Sequence, residues 1–187
     1  MSSYLNLIGS IIIGGLLFLM INRYHGSLNQ NSQEQVLDSM TMENSTSITK
    51  LIEFDFNRMG LRVSTTTNPV VQADSNRITF LSDIDDNGNV DTLRYYLSDT
   101  TLVTSTENPR DRILYRLVNN EAPIDAALGV TQFNILYLDW MGYETTDLSQ
   151  IRTFVISLMV ESIAPYEDRY SSYFWQTRIS PPNIVRF

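Results

Sequence analysis

The side chains best spaced to do chemistry are Asp83-x-Asp85-x-Asn87-Gly88, with Asp91 three residues on. Oxygens at alternate positions of a tight, glycine-assisted turn converge on one point, which is what a hard cation such as calcium requires. The match is partial. A helix-flanked calcium loop carries a bidentate glutamate at its twelfth position, and here Arg94 stands there between strand-like segments. Two readings follow: a calcium site with ligands Asp83, Asp85, Asn87 and Asp91, or a hairpin tip whose acidic groups are simply solvated.

Other charged groupings read as surface. Glu53 and Asp55 lie near Arg58 and Arg62 on a helical stretch and are expected to form exposed pairs. Arg110, Arg112, Leu114 and Arg116 alternate along a strand, so the face they share is expected to be solvated. The aromatics of Tyr170–Trp175 are expected to pack on or cover a sheet, not to bind a ligand. No glycine-rich phosphate loop, nucleophile elbow or base–nucleophile arrangement is present. The 187 residues include no cysteine, which excludes disulfides, thiolate metal sites and cysteine nucleophiles, and one histidine, His25, which makes a catalytic triad implausible. A net charge of −8 argues against nucleic acid as a partner. A non-enzyme with no required cofactor, calcium being optional, is the expectation.

The elements that position these groups can be read from periodicity. Arg77–Ile84 and Val90–Ser98 are β-branched and aromatic, and Asn87-Gly88 between them is a strong hairpin signal. Ile113–Val118, Val130–Leu138, Ile151–Glu161 and Tyr173–Ile179 are further strands, and Pro123–Leu128 is expected as one helical turn. Before them, Val36, Leu37, Met40, Ile48, Leu51, Ile52 and Met59 form one apolar stripe of a helix over about 33–59, closed by Gly60. The polar run 26–35 (GSLNQNSQEQ) reads as a flexible or weakly helical joint.

From Met1 to Asn22 no side chain ionises. Residues 4–21, YLNLIGSIIIGGLLFLMI, extend roughly 27 Å as a helix, near the hydrocarbon thickness of a bilayer. A retained membrane anchor is favoured over a cleaved signal, because no positive region precedes the apolar run. Leu5, Ile8, Ile12, Gly14, Gly15, Leu17 and Phe18 are the expected membrane and assembly positions, with small residues allowing close helix contact in lipid. Arg23, just past the span, weighs towards a cytoplasmic position for that end. The chain divides into an anchor at 1–22, a joint and amphipathic helix at 23–62, and an antiparallel β domain at 63–187. Residues 24–187 hold 12 basic and 21 acidic side chains, a balance of −9, so the negative charge belongs wholly to the part after the anchor.

Taken in order, these pieces resemble the type IV pilin and type II secretion pseudopilin superfamily. LIEFDFNRMGL (51–61) is similar to the end of the long helix in W-type minor pilins and J-type minor pseudopilins, and NRITFLSDIDDNGNVDTLRYYL (76–97) to their first hairpin. LYRL (114–117), VTQFNILYLD (130–139), IRTFVISLMV (151–160) and the closing FWQTRISPPNI resemble the strands that follow. The resemblance covers nearly the whole chain. It departs from the family in lacking an acidic side chain before Glu34, where the family's filament-forming glutamate would stand; some tip-type pseudopilins share that lack. The resemblance implies an α+β, pilin-like fold, with the long N-terminal helix packed on an antiparallel sheet. It implies a structural minor subunit of a type IV pilus or type II secretion-type filament. Its partners would be other pilin-like subunits and an inner-membrane assembly platform, and the β domain would be exported. The alternative is a signal-anchored extracytoplasmic binding or scaffold domain that does not polymerise.

Overall fold

The structure, a computed structural model, describes residues 2–119, 121–165 and 168–184, with the main chain alone at residues 2, 5 and 25–34. One helix, α1 (Ser2–Arg58), precedes seven strands: β1 (Val70–Asp74), β2 (Arg77–Ser82), β3 (Asp91–Leu97), β4 (Arg112–Val118), β5 (Ile124–Leu138), β6 (Thr153–Glu161) and β7 (Ser172–Ile179). The fold class is α+β. The helix runs unbroken through 26–35, where a joint is expected from composition. Its 57 residues extend about 85 Å at about 1.5 Å per residue.

The helix ends where the sequence places its stop. Gly60 has φ +80, a left-handed conformation open to glycine without a Cβ penalty. The Gly60 amide donates to the Leu81 carbonyl at 2.9 Å, and the Ser82 hydroxyl donates to the Arg58 carbonyl at 2.7 Å. These bonds tie the helix exit to β2.

The strands pair in chain order, each antiparallel to the next, so the sheet is a meander with β1 and β7 at its edges. The expected β2–β3 hairpin is present around Asn87-Gly88, with Asp86 and Gly88 both at positive φ. Of Pro123–Leu128, expected as a helical turn, all but Pro123 instead form the start of β5, which is 15 residues long and pairs Ala127 with Leu114. A single turn fixes many dihedrals for one hydrogen bond, whereas the ladder to β4 repays each residue it orders. Extra residues on β1 and β5 interrupt the register and bend the sheet. Beside the β5 bulge, Gly129 has φ +83, and a Cβ there would lie 2.7 Å from the Glu161 carbonyl oxygen.

The core combines the last turns of α1 with one face of the sheet. Ile48, Ile52, Phe56 and Met59 are buried in the same cluster as Ile78, Phe80, Leu93, Tyr95, Leu114, Phe133, Phe154, Ile156 and Leu158. The Phe56 ring lies 5.4 Å from that of Phe80 and meets Phe154 edge-on at 5.6 Å. Alternation explains the sheet's contribution: on β6, Phe154, Ile156, Leu158 and Val160 point inward at every second position. Upstream of Thr41 the helix leaves this core, and the side chains described there are mostly exposed.

Candidate functional site

Three groupings set what this molecule can do. The first is the amino-terminal half of α1. Asn6–Tyr24 is a 19-residue stretch long and apolar enough to cross a membrane or to serve as a signal sequence, and none of it is buried within the molecule. Ile8, Ile12, Leu17 and Phe18 are each more than half exposed, and apolar residues face every side of the helix. The Leu5 side chain lies outside the described residues. The polar side chains in this stretch turn back on the helix: Ser10 Oγ donates to the Asn6 carbonyl at 2.8 Å and Asn22 Nδ2 to the Phe18 carbonyl at 3.0 Å. Such back-bonding removes their need for water. A Cβ at Gly9, Gly14 or Gly15 would meet nothing within 4 Å, so the surface around these glycines is free for a neighbour.

The second grouping is the β2–β3 loop. Carboxylate oxygens of Asp83, Asp85 and Asp91 lie within 4.8 Å of one another. Asp83 is fully buried. Its Oδ2 accepts from the Gly88 amide at 3.0 Å and pairs with Arg62 Nε at 3.0 Å, while its Oδ1 has no hydrogen-bond partner. Asp91 is also buried; its two oxygens accept from the Ile84 amide at 3.1 Å and Asn119 Nδ2 at 2.7 Å. Asp85 is exposed. Asn87, expected as a ligand, is turned to its neighbours: Nδ2 donates to Asp85 at 2.8 Å and Oδ1 accepts from the Asn89 amide at 2.8 Å. Arg58 bridges the Asp83 carbonyl and Asp86, and that hydrogen bond chiefly holds the exposed Asp86 carboxyl below its ordinary range.

The arginines thus correct the expected surface pairs. Arg58 and Arg62 serve the loop, and Asp55 faces the opposite way, into the core. There it makes the third grouping. Asp55 Oδ2 accepts from the Tyr95 hydroxyl at 2.5 Å and from Arg116 Nε at 2.6 Å, and Oδ1 accepts from Arg116 Nη2 at 3.2 Å. Burial, reinforced by the Asp55 charge, holds the Tyr95 phenol well above its ordinary range. Of the face expected to be solvated, Arg110, Arg112, Leu114 and Arg116, only Arg110 is largely exposed; Leu114 is fully buried, and Arg116, held by these bonds, is only 15% exposed. This network fastens α1 to β3 and β4.

A further polar cluster closes the far end of β6. Glu161 accepts from Asn108 Nδ2 at 2.9 Å and pairs with Arg110 at 2.8 Å. Asp111 is buried beside them, and neither of its oxygens makes a hydrogen bond of normal geometry. Burial pushes its carboxyl up, with Glu161 adding to the effect and Thr106 and Arg110 opposing it. The 170–175 aromatics divide: Trp175 packs against the core, as expected of a sheet cover, while Phe174 is 55% exposed on β7.

No protein-family model, curated protein or solved structure matches the chain.

Proposed function

We propose that the protein is a structural, non-enzymatic subunit of the minor pilin or pseudopilin kind, anchored and assembled through the first half of α1. The observation that carries this reading is the division of one continuous helix. Its apolar half is exposed on every side, and its last turns are built into the core of an acidic β domain. A helix apolar all round needs either lipid or other apolar helices around it. Lipid serves before assembly and a bundle of like helices afterwards; both leave the backbone satisfied within the helix and the apolar side chains out of water.

In this reading the helix rises from the inner membrane, and its C-terminal turns stay packed on the exported sheet as filaments form. The partners are pilin-like subunits and a membrane assembly platform. The Asp55–Arg116 clamp keeps the domain rigid on its stalk.

A second reading draws on the exposed Trp140, Met141 and Tyr143 in the β5–β6 connection: a membrane-anchored binding or scaffold domain that never polymerises. Arginine at Ile12 or Gly14 tests the assembly reading, since a charge at the centre of a span costs about 2.5–3.5 kcal/mol on insertion scales. The expected outcome is loss of membrane insertion or filament incorporation while the β domain still folds. Normal incorporation of either variant would remove the basis of the proposal.

A further inference from the structure

We propose that the β2–β3 loop is a divalent-cation site of the calcium type, with Asp83, Asp85 and Asp91 as its carboxylate ligands. The cluster alone does not carry this; the state of Asp83 does. That side chain has no exposure to solvent, and its two oxygens are used unequally. Oδ2 is fully engaged by the Gly88 amide and Arg62, and Oδ1, equally buried, has no partner. A buried, unpaired carboxylate oxygen is costly and calls for an explanation, and an ion is one that fits the surroundings here. One carboxylate oxygen from each of Asp83, Asp85 and Asp91 lies within 4.8 Å of the other two.

Charge and size agree with this. The loop holds four aspartates, Asp83, Asp85, Asp86 and Asp91, and the two arginines that reach it are Arg58 and Arg62. The remainder is two negative charges, which a divalent ion neutralises. Oxygens around calcium sit about 2.3–2.6 Å from the metal, so a ligand shell spans about 4.6–5.2 Å, and the observed spread lies inside that limit. All the donors are hard oxygens. The exposed rim at 85–90 leaves room for the waters that complete six to eight ligands.

The consequence is structural. Arg58 and Arg62 flank the exit of α1, the Asp83 amide donates to the Leu61 carbonyl at 3.0 Å, and Asp91 holds Asn119 beyond β4. An ion here clamps the helix exit, the first hairpin and the end of β4 together. This holds whether or not α1 assembles into filaments.

The test uses the full chain in detergent, stripped with chelator and titrated with CaCl2 by calorimetry and by thermal melting. Binding of about one ion per chain is expected, with Kd on the order of 10⁻⁴–10⁻³ M for so open a site. At a few millimolar CaCl2 the melting temperature should rise by about 3–10 °C. Asp85→Asn, at an exposed position, should fold normally and bind about tenfold more weakly. An unresponsive wild type, or an equal response in Asp85→Asn, overturns the site. So does a rise reproduced by NaCl at matched ionic strength. A response to MgCl2 as large as that to CaCl2 overturns the calcium assignment.

Discussion

Replacing Arg116 with methionine should destabilise the β domain far more than loss of an ordinary ion pair. Asp55 has no solvent exposure, and three hydrogen bonds hold its carboxylate, two of them from Arg116. Without Arg116 a buried charge is left with one neutral donor, the Tyr95 hydroxyl. Breaking a buried pair in this way costs about 3–5 kcal/mol, against about 0–1 kcal/mol for an exposed pair. Since a domain of this kind is stable by about 5–15 kcal/mol, the loss is a large fraction of the total. Urea unfolding of the full chain in detergent, followed by tryptophan fluorescence, reads the β domain selectively, because Trp140 and Trp175 both lie beyond α1. With a slope of about 1–3 kcal/mol per molar urea, the midpoint should fall by roughly 1–5 M. Adding Asp55→Asn to Arg116→Met should recover more than half of the loss, since the amide oxygen still accepts from Tyr95 and no charge remains buried. A single-variant cost of 1 kcal/mol or less, or no recovery in the double variant, would refute the claim that α1 is locked to the sheet by a desolvated pair.

Two other outcomes follow from burial. Phe56→Ala should cost about 3–5 kcal/mol in the same urea assay, whereas Phe18→Ala on the same helix should leave the β-domain midpoint unchanged, because Phe56 is buried and Phe18 is 66% exposed. For Asp111, the folded carboxyl is raised above its ordinary value of 3.8, so its contribution to stability is complete in acid and is lost as pH climbs through the raised value. Asp111→Asn should therefore gain in stability over the natural chain as pH rises from about 3 to about 7, and its relative advantage should be smallest in acid. Melts across that range decide it; an advantage that grows in acid would contradict the burial argument.

Residue by residue, the sequence announced more of the frame than of the buried polar contacts. Period-two runs marked six strands, and Asn87-Gly88 marked the hairpin, because alternation and turn chemistry are local. β1 carries no such signal: Val70–Asp74 is short, and its ladder to β2 contains a bulge. The run 26–35, whose composition reads as a flexible or weakly helical joint, is helical, since polar composition lowers helix propensity without forbidding a helix that continues from both sides.

Asp55 carried a signal that was readable in principle. Ile48, Ile52, Asp55 and Met59 are spaced four, three and four apart, so the acid sits within the apolar stripe, and a charge in that place needs a buried partner. The partner's clue was Leu114, whose inward alternation takes Arg116 inward with it. What no local pattern gives is that these two residues, 61 apart, meet. The acidic loop was legible as a pattern from the start. The unequal use of the two Asp83 oxygens, on which the proposed ion site rests, depends on Arg62 and Gly88 converging in three dimensions.

The central claim, assembly through the apolar half of α1, can be tested most directly by cysteine crosslinking. The chain has no cysteine of its own, so single substitutions at Ile12 and Phe18 report without background. Oxidation in native membranes and in filament fractions, with mass spectrometry of the products, should yield crosslinks from both positions to other pilin-like chains. Protein that inserts fully in the membrane yet crosslinks to no such chain from either position would contradict the account and leave an anchored domain that does not polymerise.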